Sequence, residues 1–153
     1  MIQEGQRAPD VTLEDQHGQR RTLSELWKQG PVVLYFYPKD ETMGCTAEAC
    51  SFRDRYETFR DAGAEVVGVS ADDVKSHASF AQHHSLPFVL LADPDGKAER
   101  AFAVKRTLGL IKGRTTFVID REGVVRHVFN SQLRPTAHIG EALAVVQKLA
   151  AGG

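Results

Sequence analysis

The chain has 153 residues, 42% of them hydrophobic and 25% charged, a composition that suits one globular domain with an ordinary core. With 19 basic against 20 acidic side chains the formal charge is −1, so nothing electrostatic favours nucleic acid or an anionic membrane as a partner. No apolar run approaches the roughly 20 residues that span a bilayer, Met1–Arg7 lacks the apolar core of a signal peptide, and two cysteines are too few for a disulfide framework, so a reducing, cytoplasmic setting is expected.

In chain order, Val11–Leu13 and Arg20–Leu23 flank Asp15-Gln16-His17-Gly18, which reads as a small hairpin with Gly18 in the turn. Ser24–Lys28 adds a helical turn. Val32–Tyr37 is a near-continuous apolar and aromatic run, the mark of a central strand covered on both faces, and Pro38 stops it. From Cys45 to Asp61 the period becomes helical, with Ala49, Phe52, Tyr56 and Phe59 on one face and Gly63 as the stop. Val66–Ser70 is a second buried strand. Asp72–His84 is a helix opened by acidic residues, with Val74, Ala78, Phe80 and Ala81 turned inward, and Pro87 prevents its continuation. Phe88–Ala92 is a strand, Lys97–Ala103 a short helix, and Arg114–Asp120 and Val124–Phe129 a hairpin about Arg121-Glu122-Gly123. A last helix starts near Pro135 and Thr136 and carries Ile139, Leu143, Val146 and Leu149. No linker or repeat interrupts the order, so residues 1–153 read as a single α/β domain with a mixed central sheet flanked by helices.

Functional groups in such sheets gather at the carboxyl ends of strands, and Cys45 stands just past one, at the start of a helix. Unpaired N–H groups and the positive end of the helix dipole favour a thiolate there, which makes Cys45 a candidate nucleophile. Cys50 is the other cysteine, with four residues between them. On a regular helix that spacing puts the Cα atoms roughly 8 to 9 Å apart and turns the side chains by about 140°. A disulfide needs Cα atoms within about 7 Å, so the helix start must unwind before the two sulfurs can bond. Six histidines raise the question of a metal. His83 and His84 are adjacent and diverge on a helix, while His17, His77, His127 and His138 show no ligand spacing with either cysteine. They read as surface residues, and no metal or cofactor is expected. Phe36, Phe52 and Phe117 read as core.

The run Pro38-x-x-x-Thr42-x-x-Cys45 resembles the active-site signature of the peroxiredoxins, thiol peroxidases of thioredoxin-like fold. Tyr35 to Asp40, Gly44 to Cys50, Phe52-Arg53-Asp54 and Arg114 to Asp120 are similar to the peroxiredoxin Q branch, also called bacterioferritin comigratory protein. Gly5-x-x-Ala8-Pro9-Asp10 and Asp15-x-x-Gly18 match that family's N-terminal hairpin, so the likeness covers essentially the whole chain. It implies peroxide substrates, whether hydrogen peroxide or organic hydroperoxides, and attack by Cys45 to give a sulfenic acid. An intramolecular Cys45–Cys50 disulfide resolves it, and thioredoxin or a similar dithiol reduces that bond. It also implies a monomer.

By the same resemblance, the Thr42 hydroxyl faces the sulfur and the peroxide, Arg114 favours the thiolate and polarises the peroxide, and Pro38 shields the pocket. The N–H groups of Gly44 and Cys45 point into it, Glu48 orients Arg114, and Arg53 assists. Met43 departs from the pattern: a proline commonly stands there, and methionine leaves the loop freer and adds an oxidisable thioether at its rim. Two other readings compete. A thioredoxin-like dithiol oxidoreductase would need Cys-x-x-Cys and would usually carry a proline where this chain has Thr115. A redox-sensing interaction protein would use Cys45 only as a switch.

Overall fold

The structure, a computed structural model, describes residues 1–104, 114–130, 134 and 136–152. Among these, strands β1 (Thr12–Asp15), β2 (Arg20–Thr22), β3 (Val32–Phe36), β4 (Glu65–Ser70), β5 (Val89–Ala92), β6 (Thr115–Ile119) and β7 (Val125–Asn130) form one sheet in the order β2-β1-β5-β4-β3-β6-β7. The central pairs β3–β4 and β4–β5 are parallel, whereas β3–β6, β6–β7, β1–β5 and β1–β2 are antiparallel. Parallel neighbours need a crossover, and helices supply both. Helices α2 (Met43–Asp54) and α3 (Tyr56–Asp61) link β3 to β4, and α4 (Val74–His84) links β4 to β5. Helices α1 (Leu23–Trp27), α5 (Lys97–Ala101) and α6 (Ala137–Gly152) are the other helices among the described residues. The expected start of the last helix at Pro135 lies outside the described residues.

Alternation along β3 sorts the core into two layers. Val33, Tyr35 and Tyr37 pack with Cys45, Ala49, Phe52, Phe59, Phe80 and the α6 residues Ile139, Leu143 and Val146. Val32, Leu34 and Phe36 point the other way, to Leu23, Trp27, Phe102, Phe117 and Ile119. A strand that is apolar at every position is what two covered faces require. Gly68 on β4 fits that first layer for want of a side chain: a Cβ there would lie 2.8 Å from the Tyr35 ring.

Three elements differ from the sequence reading. The single helix expected from Cys45 to Asp61 is two, divided at Arg55, whose φ of −108° and ψ of 5° leave the helical range. Phe52, Tyr56 and Phe59 still reach the core side across that break, so their period gave no sign of it. On α4 the inward positions are His77 and Phe80, while Ala78 is exposed. His138 is likewise buried on α6, so two of the six histidines are interior rather than surface groups. Hydropathy misses such residues because their polar atoms are satisfied by partners distant in sequence.

Candidate active site

The segment after β3 carries Tyr37 to Thr42 across the carboxyl edge of the sheet and into α2. Thr42 is the N-cap residue, with extended φ −81° and ψ 155°, and its carbonyl accepts the first intrahelical bond from Thr46 N–H at 2.8 Å. Met43, Gly44 and Cys45 therefore make up the first turn, where backbone N–H groups have no acceptor within the helix. Cys45 is 1% exposed, and its neighbours on the inward face of α2 are Glu48, Ala49 and Phe52.

The opposite wall comes from β6. Its antiparallel register pairs Phe36 with Thr115, so Arg114 lies one residue beyond the last pair, at the carboxyl end of β3. Alternation puts Arg114 on the side of the sheet that Thr116 shares with α2 and α6. Its guanidinium Nη2 donates to Cys45 Sγ at 3.2 Å and its Nη1 to Glu48 Oε1 at 2.5 Å. One buried cation thus bridges a sulfur and a carboxyl, three residues apart on one helix face. Both neighbours hold the guanidinium above its ordinary range, overcoming the burial that works against its charge. At Glu48 burial outweighs the pull of Arg114 and lifts the carboxyl to about 8. Glu48 Oε2 makes no hydrogen bond among the described residues and lies 3.7 Å from His138 Nδ1, which itself meets Thr116 Oγ1 at 2.7 Å. Tyr35 is buried beside this group, and burial above all keeps its phenol protonated, well above its usual range.

Cys50 follows on the same unbroken helix, half-buried, and both cysteines are free. The Thr42 side chain is exposed, and its hydroxyl donates to the Lys39 carbonyl at 2.8 Å instead of turning to the sulfur. Pro38 is half-buried in the connecting segment, and Met43 is 90% exposed at the helix start. Arg53 is not beside Arg114. Its Nη1 donates to the carbonyl of His84 at 2.8 Å and its Nε to Asp54 at 3.0 Å, so it ties α2 to the end of α4.

A second buried cluster, which the sequence reading gave no role, secures the segment that leads to Cys45. Asp40 accepts from Tyr37 Oη at 2.6 Å and Ser76 Oγ at 2.8 Å, and meets His77 Nδ1 at 2.7 Å. His77 Nε2 lies 2.9 Å from the Leu91 carbonyl, which can only accept, so the Nε2–H donates to it. The Asp40 N–H donates to Asp72 at 2.8 Å. The one signal available in sequence was an Asp just after the strand, since its partner lies 37 residues away.

A buried sulfur at a helix start, touched by a guanidinium from a neighbouring strand, is equipped to hold a negative charge and to polarise a small electrophile brought to it. Comparison with known proteins agrees. The AhpC/TSA family model matches residues 4–128. Peroxiredoxin Q, chloroplastic, from Triticum aestivum is 48% identical over 149 residues, 97% of this chain and 68% of the wheat protein. Among solved structures, peroxidoxin BcpB from Mycobacterium tuberculosis superposes with a TM-score of 0.91 at 41% identity, covering 97% of this chain and 99% of that one. The Xanthomonas campestris bacterioferritin comigratory protein gives 0.82 at 34% identity, covering 92% of each. The chain belongs to the AhpC/TSA family, on its peroxiredoxin Q branch, and is a thiol-dependent peroxidase of thioredoxin-like fold.

Proposed function

We propose that Cys45 is the peroxidatic nucleophile and Cys50 the thiol that resolves it within the same chain. The observation that carries this reading is the buried Cys45 sulfur 3.2 Å from Arg114 at the head of α2. The thiolate attacks one peroxide oxygen and the O–O bond breaks. The electron pair leaves on the other oxygen, which takes up a proton and departs as water or an alcohol, and Cys45 becomes a sulfenic acid. Arg114 stabilises the sulfur before the attack and the departing oxygen during it. Thr42 turns its hydroxyl from the Lys39 carbonyl to the peroxide once substrate enters, since such bonds often align only in the complex. The Gly44 and Cys45 N–H groups supply further donors, Glu48 fixes the guanidinium, and Pro38 limits the entry of water.

Cys50 then attacks the sulfenic sulfur, expelling water and forming the disulfide. Because α2 is continuous from Met43 to Asp54, five-residue spacing holds the sulfurs apart until its first turns open. Thioredoxin or a similar dithiol reduces the disulfide and completes the cycle. Internal resolution needs no second subunit, which favours a working monomer, and the use of a transient disulfide suits the cytoplasm.

Peroxide consumption with a thioredoxin reducing system tests this on wild type, Cys45→Ser and Cys50→Ser. Wild type turns over, Cys45→Ser is inactive, and Cys50→Ser makes one turnover and stalls as the sulfenic acid. Continued cycling of Cys50→Ser would assign resolution to an external thiol, and activity in Cys45→Ser would end the assignment.

A further inference from the structure

Beside the sulfur pocket, and independent of its chemistry, Glu41 faces two imidazoles at once. His83 Nδ1 lies 2.9 Å from Oε2 and His84 Nε2 2.8 Å from Oε1, with the two rings 4.1 Å apart. Neighbouring residues on a helix diverge by about 100°. They reach one point here because His83 uses the nitrogen near its backbone and His84 the far one. That pairing was excluded by the sequence reading, which considered direction and not reach.

We propose that Glu41, His83 and His84 form a binding site for a divalent transition metal such as Zn²⁺, with a further position open to water. Two imidazoles and one carboxylate are a donor set suited to zinc and nickel rather than to calcium or magnesium. The three ligand atoms already lie within 4.8 Å of one another. Bonds of about 2.0–2.2 Å in a tetrahedral site set ligand atoms about 3.3 Å apart. The two His–Glu41 contacts, which run to different carboxylate oxygens, need to open by only a few tenths of an ångström, and the imidazole nitrogens lie within 4.8 Å of one another.

Both sides of the site are fixed by contacts made for other reasons. The His84 carbonyl accepts from Arg53, and its ring packs edge-on against Phe80 at 5.2 Å. Glu41 follows Asp40, which His77 and Ser76 anchor, and it holds a left-handed φ of 62° that aims it at the end of α4. His83 is 65% exposed and Glu41 44%, so an ion enters directly from solvent. Once bound, it ties the segment ahead of Cys45 to the last turn of α4.

The test removes thiolate competition by using the full chain with Cys45→Ser and Cys50→Ser, the only two cysteines. Titration calorimetry with ZnCl₂ near neutral pH should give saturable binding of one ion. Adding Glu41→Gln, His83→Ala or His84→Ala should each weaken it at least about tenfold, since even outer-shell changes cost that much. His127→Ala, on the far hairpin strand, should leave it unchanged. Co²⁺ should develop the visible absorption of a four-coordinate ion, lost in Glu41→Gln, an exposed substitution that circular dichroism can confirm as folded. No saturable binding, or binding indifferent to all three substitutions, would overturn the proposal.

Discussion

Two buried polar clusters flank the segment that joins β3 to α2, and they are completed to different degrees. Around Asp40, the carboxylate meets Tyr37, Ser76 and His77, and the far nitrogen of His77 meets Leu91. Around Cys45, one guanidinium serves two acidic groups, while Glu48 Oε2 and Arg114 Nε make no hydrogen bond among the described residues. A satisfied network specifies one conformation; an incompletely satisfied one keeps donors and charge in reserve for a group that arrives later. The contrast teaches which cluster holds the loop and which reacts.

The largest effect should come from breaking the satisfied cluster. Asp40→Ala strips the buried Tyr37 of its acceptor and His77 Nδ1 of its partner, and should cost about 3–5 kcal/mol of unfolding free energy by denaturant titration. A loss under about 1 kcal/mol would mean that this cluster holds nothing. Next, Arg114→Ala should slow Cys45 oxidation by peroxide about 10²- to 10³-fold in stopped flow, as removal of one charge-stabilising donor does elsewhere. It should destabilise less than Asp40→Ala, because burial lifts the Glu48 carboxyl to about 8 and no uncompensated charge is left behind. An unfolding loss as large as that of Asp40→Ala would erase the distinction between the two clusters.

The most gradual effect, spread over several pH units, sharpens the comparison. The Glu48 carboxyl lies at about 8 in the fold against an ordinary 4.5, so the folded state holds its proton more tightly than the unfolded chain. Its contribution to stability is fully present below about 4.5 and is lost as the pH rises through about 8. The stability of wild type relative to Glu48→Gln should therefore fall with rising pH across that window, by at most about 1.4 kcal/mol per unit, and level off above it. A flat difference would place an ionised Glu48 beside Arg114 throughout.

The legible part of the site was the part carried by one stretch of chain. Pro38, Thr42, Gly44, Cys45 and Glu48 lie within eleven residues, where an apolar strand runs into a helix, and their placement follows from that turn. Arg114 came only from resemblance, since nothing local distinguishes it from a surface arginine at a strand start. The Thr42 hydroxyl is expected at the sulfur and Arg53 beside Glu48 as an aid to orienting Arg114, and each instead takes a carbonyl within reach, Lys39 and His84 respectively. His77 was read as a surface residue and Ala78 as core because an apolar count cannot register a histidine whose two nitrogens both find partners inside.

By itself, then, the sequence determined the alternation of strands and helices, the seat of Cys45 at a helix start, and the five-residue spacing that bars a disulfide within an intact helix. These follow from backbone periodicity and local sterics, which act over a few residues. Tertiary structure alone decided that Arg114 meets a sulfur 69 positions away, that Asp40 finds His77, and that Glu41 finds two neighbouring histidines 42 and 43 positions on. Those meetings depend on sheet register and on how deeply each helix end packs, and a shift of one residue in either would point the same side chains elsewhere.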